Sequence, residues 1–378
     1  MTDGAMDDAD RGSREGTERN RKRRGHLESV IDETLADREA CAAVAVEAAQ
    51  TPVGQYCLSA LVGQHDGTEN RVVALGYDGT EWAVFDATET NTHPATALGE
   101  TLVDRHGEGT VLTPATIPYD AALYLEAAGL TLASSDVFER ARTTKTAAER
   151  ANTETTQAAA SAGIRRGAAI LADATVSDGQ LERDGEPITA EHLRVALDQA
   201  IISSGAFPAD NSVVRQGPAR ESTDPLRPGE PITVSVSPQG PDGYHGRLVR
   251  TFVVDSDGGR ERRAHVALTQ AFRSSQSMLT ADSESIRAVE ADLEAEIRAF
   301  GEDDGIETRV SGIGLEPTER PSDGGELVEP GTVICLEAAV ELADGSWLRL
   351  ADVLAKHDGS VSWLESPSRS LEPAALTD

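Results

Sequence analysis

Lysine is nearly missing from this sequence. Only Lys22, Lys145 and Lys356 occur, so arginine supplies almost all of the 34 basic side chains, which stand against 65 aspartates and glutamates. The formal net charge is -31. Such a deficit of positive charge excludes sequence-independent nucleic-acid binding, which Lys and Arg drive by displacing phosphate counterions. Cysteine is as sparse: Cys41, Cys57 and Cys335 are odd in number, far apart and without metal-ligand spacing. That excludes a disulfide framework, suits a reducing cytosol and leaves the three as small buried apolar side chains. No stretch approaches the roughly 18 apolar residues of a membrane span, so no membrane partner is expected. A basic cluster (Arg19, Arg21, Lys22, Arg23, Arg24) stands near the start, but no apolar h-region follows it, and no secretion signal is expected.

What is present begins with the acids. They are spread along the whole chain and not bunched in a tail. This is the pattern of a surface adapted to molar salt, where carboxylates maintain solubility and salt screens their repulsion. A high-salt cytoplasm is the expected location. The competing reading is an acidic patch for a basic partner.

Residues 1–25 have almost no apolar content and are expected to be a disordered tail. From His26 to about 140, helical and strand-like patterns alternate, giving an α/β accessory domain. Helical spacing runs from Leu27 through an Ala-rich stretch to Ala49. Short apolar runs at Tyr56–Val62, Arg71–Tyr77 and Glu81–Phe85 read as strands, with Asp78-Gly79 as a hairpin turn. Val111–Leu112 and Leu130–Ala133 read as strands, and Asp120–Ala128 as a helix. His65, His93 and His106 lie in polar, turn-like surroundings and are expected at the surface.

From 141 to 378 the order is helices, hairpin, helices, strands: an α+β domain with segregated elements. Helices are expected at 146–171, 190–203 (capped by Thr189), 260–278 and 283–300. Strands are expected at 232–237, 248–254, 332–342, 347–354 and 360–364.

Five segments of this second domain, in order, resemble a known family. Gly243-Tyr244-His245-Gly246-Arg247-Leu248-Val249-Arg250-Thr251-Phe252 resembles G-Y-x-x-D-x-T-R-T-F. Ser311–Pro321 resembles H-G-I-G-L-x-x-H-E-x-P, and Leu327–Glu337 resembles L-x-P-G-M-V-x-T-x-E-P. Arg349-Leu350-Ala351-Asp352 resembles R-I-E-D, and Arg142–Arg150 resembles R-x-x-K-x-x-x-E. These are the motifs of the pita-bread metallopeptidases, of Xaa-Pro aminopeptidase, prolidase and creatinase type. The resemblance covers about residues 140–365. It implies a C-terminal pita-bread domain, with the α/β part as a creatinase-type N-terminal domain. It also implies a homodimer and a cleft for peptide.

The family's peptidases hold two divalent metals with two Asp, one His and two Glu, and the metals activate a bridging water. Carried over by position, the first Asp falls at Ser235, the second at Arg247, the His at Ser311 and the second Glu at Ala351. Only the first Glu is retained, as Glu337. Arg247 reverses the charge of its position. At about 4 Å and an effective dielectric of about 20, two unit charges interact by roughly 4 kcal/mol, and a divalent ion by twice that. Pairing of Arg247 with Glu337 across the former metal position is therefore expected. An accessory histidine is replaced by Thr318, beside the retained Glu319. Asn211-Ser212 leads into a stretch without histidine, so the metal-free creatinase route lacks its base. His245, two residues before Arg247, is expected to face the same side. Ser235 and Ser311 have no oriented base to make them nucleophiles. No cofactor is expected, and the function implied is a binding or scaffold role. Two alternatives stand beside it: an active Xaa-Pro metalloaminopeptidase using a Mn, Co or Zn pair on unconventional ligands (Asp242, Glu316, Glu319 and Asp352 lie nearby), and a metal-free creatinase-like hydrolase.

Overall fold

The computed structural model describes residues 4–62, 71–217, 223–256, 258–302 and 305–377, and the chain divides into two compact units, Met1–Arg142 and Thr143–Asp378.

The first unit opens with helix α1, Gly4–Arg38. The expected disordered tail is therefore helical from Gly4. The segment contains no proline, Glu18–Lys22 and Arg24–Glu28 pair across one turn at 3.1 and 2.7 Å, and Leu27, Ile31 and Leu35 bury one stripe. Nor does the helix continue to Ala49. It stops at Glu39, whose φ of 51° is left-handed, and Ala42–Ala48 forms strand β1. This strand is central, antiparallel to β2 (Val72–Tyr77) and parallel to β4 (Thr110–Thr113). Ala42–Val46 are fully buried, so both faces of β1 are apolar and no alternation marks it in the sequence. Tyr56–Val62 is also no strand: it lies in helix α2, Pro52–Leu61, where Thr51 accepts from the Gly54 N–H and Pro52 fills the first turn. Strand β3 (Trp82–Asp86) closes the expected hairpin with β2, and Asp78 caps the turn by accepting from the Thr80 and Glu81 N–H groups.

Helix α3 (Pro94–His106), unanticipated from sequence, starts at His93, whose Nδ1 accepts from the Ala95 N–H. His93 also stacks on Tyr124, and His106 Nε2 lies 3.0 Å from Asp78, so both histidines serve the framework. His65 lies outside the described residues. Helix α4 (Tyr119–Ala127), strand β5 (Thr131–Ser134) and helix α5 (Val137–Thr143) complete the run, and the sheet order is β3-β2-β1-β4-β5.

The second unit opens with helix α6 (Ala147–Ala172), held by a capping box in which Thr146 and Glu149 satisfy each other's N–H groups. A small three-stranded sheet follows: β6 (Thr175–Ser177), β7 (Gln180–Arg183) and β8 (Glu186–Pro187). Next come α7 (Ala190–Ser203), β9 (Val213–Gln216), β10 (Ile232–Val236) and β11 (Leu248–Phe252). Helices α8 (Arg260–Ala281) and α9 (Ile286–Ala299) lead into β12 (Ile306–Gly312), β13 (Val333–Glu341), β14 (Trp347–His357) and β15 (Ser360–Trp363). The large sheet runs β12-β13-β14-β11-β10-β9, with β15 beside β14.

Alternation along these strands sorts the two faces. Ile232, Val234 and Val236 pack with α6 and α7 into one core, and Ile334, Leu336, Ala338 and Val340 pack with α8 and α9 into a second. Two helix pairs thus cover one face, and the odd-numbered residues of β10 and β13 point to the other. On that other face Val249, Ile313, Val333, Cys335, Ala351, Val353, Ala355 and Leu364 form a small apolar patch. Arg250 lies on the covered side, 1% exposed. It donates to Asp352 Oδ1 at 2.6 Å and to the carbonyls of Ala351, Pro367 and Ser368. Asp352 also accepts from Ser366 Oγ and Arg369 Nε, so residues 366–369 are fastened to the sheet through one buried carboxylate.

Candidate functional site

Strand register brings the site together. Ser235 stands opposite Val249, Val249 opposite Ala351, Ala351 opposite Glu337, and Glu337 opposite Arg309. Opposite residues in a ladder share a face. These five therefore form one row across β10, β11, β14, β13 and β12, on the face the helices leave open. Three of the inferred ligand positions, 235, 351 and 337, lie in the row itself. Ser311 is two residues along β12 from Arg309 and opposite Cys335, one step off the row.

Arg247 enters the row from just before β11. Its Nη2 donates to Glu337 Oε2 at 2.9 Å, and its Nη1 donates to Ser235 Oγ at 3.2 Å. This is the pairing that charge compensation requires. The main chain of Arg247 is fixed by Gln157 of α6, whose amide accepts from the Arg247 N–H and donates to its carbonyl. Burial opposes the guanidinium charge, but Glu337, with a smaller contribution from Cys335, raises the Arg247 pKa above its ordinary value. The other oxygen of Glu337 lies 4.0 Å from Arg349 Nη1, and Arg349 also pairs with Glu307 at 2.8 Å.

The remaining inferred positions are emptied of charge or turned elsewhere. Ala351 is fully buried in the apolar patch. Ser311 is 5% exposed. Thr318 Oγ1 accepts from Arg309 at 3.4 Å. Glu319 is buried against Lys145 at 2.6 Å, away from the row. Asp352 belongs to the Arg250 network. His245 does not join the cleft: it is 6% exposed, donates its N–H to the Gly314 carbonyl, and lines neither cavity described below. Burial pushes its ring pKa below the ordinary value against a hydrogen bond at the Ser237 backbone. Burial pushes the Cys335 thiol up to about 12, which removes it as a nucleophile at neutral pH.

Two neighbouring cavities lie over the row. The larger, about 860 Å³, is lined by Asn211, Arg215, Ser235, Arg247, Glu337 and Trp347 among others. The smaller, about 150 Å³, shares Asn211, Arg247 and Glu337 with it and adds Ser237, Arg309, Ser311 and Thr318. Among the described residues no group of three or more His, Cys, Asp or Glu is placed to hold a metal ion. The donor set of one carboxylate, serines and guanidiniums does not fit a divalent pair, which needs several anionic oxygens. Sequence reasoning missed Arg309, Ser237 and Arg215. Arg309 had a signal: it is two residues before Ser311 on one strand, so alternation puts both on one face.

Removing the arginine tests the pair. Both side chains are about three-quarters buried, at 26% and 22% exposure. Arg247→Ala is expected to lower stability by about 1–3 kcal/mol. A double-mutant cycle with Glu337→Ala, followed by urea denaturation in molar KCl, should show positive coupling. Additive effects would mean the pair contributes nothing.

No curated protein matches the chain. Among solved structures, the prolidase from Pyrococcus furiosus superposes with a TM-score of 0.69 at 15% identity, covering 90% of this chain and 100% of the other. The Xaa-Pro dipeptidase from Bacillus anthracis gives 0.74 at 14% identity, covering 93% and 99%. The N-terminal domain of the FACT complex subunit SPT16 from Cicer arietinum (chickpea) gives 0.69 at 14%, covering 94% and 98%. At these identities the likeness is one of fold, and it extends over both units. Residues 144–361, more than half of the sequence and all of the elements that build the row, match metallopeptidase family M24, and the chain belongs to that family.

Proposed function

We propose that this chain is a non-hydrolytic member of the family, a binding or scaffold protein whose cleft takes a peptide or protein segment. One observation carries the reading: a guanidinium occupies the ligand row and is bonded to the one acid left there. A divalent ion at that position would meet a positive charge within contact distance, and a single glutamate does not offset it. The fold leaves the activity open, since it serves a prolidase and a FACT subunit domain alike. We further propose a homodimer working in molar salt, on the strength of the acidic composition and the family resemblance.

The direct test is metal content. Protein purified in molar KCl, incubated with Mn, Co or Zn salts and dialysed, is expected to retain close to no metal per chain and to release nothing from Xaa-Pro peptides. Retention of about two ions per chain, as in two-metal hydrolases, would overturn the reading.

A further inference from the structure

We propose that the inner 150 Å³ cavity is an oxyanion site, built to take a carboxylate or phosphate group where the peptidases carry cations. The inference deepens the non-hydrolytic reading and rests on it, because divalent ions would claim the same space.

The observations are of charge, unspent donors and access. Two guanidiniums, Arg247 and Arg309, face one carboxylate, Glu337, in this cavity. That carboxylate is already engaged: Arg247 holds one oxygen, and Arg349 approaches the other at 4.0 Å. Arg309 has no acidic partner within ion-pair distance among the described residues; its side chain donates to Thr318 Oγ1 at 3.4 Å. The cavity is thus a point of positive excess in a chain of net charge -31. Ser237 also lines it. Ser237 is 2% exposed and its hydroxyl has no hydrogen-bond partner among the described residues. A buried donor left unsatisfied costs about 1–3 kcal/mol, and a bound acceptor would recover it. In molar salt the screening length is only about 3 Å, so long-range attraction adds little and recognition rests on contact. Guanidiniums and hydroxyls are the contact donors that suit planar or tetrahedral oxyanions. The volume holds one such group and not a side chain with its own backbone. Asn211, Arg247 and Glu337 line the outer cavity too, so the oxyanion can sit at the end of a longer molecule lying in the cleft.

Isothermal titration in molar KCl tests this with three probes: pentaglycine as the free acid, pentaglycine amide and inorganic phosphate. The free acid is expected to bind saturably, and the amide about tenfold or more weaker, since it cannot accept a charge-assisted pair. Arg309→Ala should weaken the free acid by a similar factor of about ten while leaving the unliganded melting temperature unchanged, because Arg309 is exposed and carries no ion pair. Ser237→Ala should weaken it severalfold and still fold, since its hydroxyl bonds to none of the described residues. Phosphate binding as tightly as the peptide acid would identify a free oxyanion as the source, and a tighter peptide acid would identify a chain terminus; either supports the site. No saturable binding of either anion, or unchanged binding in Arg309→Ala, overturns it. Equal binding of acid and amide overturns it too, but leaves the non-hydrolytic reading standing, whereas uptake of divalent metal overturns both.

Discussion

Replacing Asp352 with alanine is expected to cost about 3–5 kcal/mol of folding stability, the usual loss when one partner of a buried ion pair is removed. Asp352 is fully buried and Arg250 is 1% exposed. Without the carboxylate, the Arg250 guanidinium keeps its carbonyl acceptors but loses its counter-charge, and Arg369 and Ser366 lose their shared anchor. The melting temperature should fall, and residues 366–371 should become sensitive to protease before the rest of the unit. The double variant Arg250→Met, Asp352→Leu should recover part of the loss, since well-packed apolar pairs often replace buried ions at little cost. A single variant as stable as the parent would show that the network is dispensable. The same group sets an acid limb. Burial alone would raise the Asp352 pKa, but Arg250 and Arg369 hold it below its ordinary value. A depressed carboxylate contributes stability above its unfolded pKa of about 3.9, and that contribution is lost as pH falls through the folded value. Asp352→Asn should therefore flatten the decline in stability below about pH 4, measured by denaturation across that range.

Rebuilding the ligand row should create a site for divalent metal. The variant carries Ser235→Asp, Arg247→Asp, Ser311→His and Ala351→Glu, with Glu337 kept. Without metal it should be less stable than the parent. Ala351 is fully buried among Val249, Cys335 and Val353, and the new glutamate there would be a charge without a partner. Added Mn should reverse this. A ligand at about a hundred times its Kd stabilises by about 2.7 kcal/mol, so the melting temperature should climb with Mn concentration in the variant and not in the parent. Dialysed variant should retain close to two ions per chain. Failure of Mn to raise the melting temperature would mean that these positions do not converge as the register implies. The single change Arg247→Asp should bind no metal tightly, because Glu337 and one new carboxylate fall short of what hard divalent ions require.

How much of this could be read beforehand depended on where each residue faces water. In the second unit the four helices α6 to α9 and the strands β10, β11, β13, β14 and β15 were legible, because the helices carry an apolar face and these strands are runs rich in Val, Leu and Ile; β6 to β9 and β12 were not anticipated. The Arg247–Glu337 pair followed from charge alone once the two positions were aligned. The first unit was less legible. Ala42–Ala48 is buried on both faces, and a run of Ala and Val without alternation looks like the continuation of an Ala-rich helix. Thr51-Pro52 did carry a helix-start signal that the apolar run Tyr56–Leu61 masked. Arg309 was legible only through its alternation with Ser311, and Ser237 was not legible as a site residue, because only the folded arrangement places it beside Arg247. His245 failed for the opposite reason: alternation was extended to it from β11, but that strand begins at Leu248.

The fastening of residues 366–369 to Arg250 also sets an order of events as the chain is made. The arginine emerges well over a hundred residues before the carbonyls of Pro367 and Ser368 that complete its shell. Until they arrive, β11 holds a cation at the centre of the sheet with its acceptors unfinished. The helix pair α6–α7 can close on β10 early, but the seam between β11 and β14 can lock only when the last hydrogen-bonding segment docks. A nascent chain interrupted before residue 366 would thus carry a nearly complete sheet with an unfinished seam, the state most exposed to mispairing and to quality-control proteases.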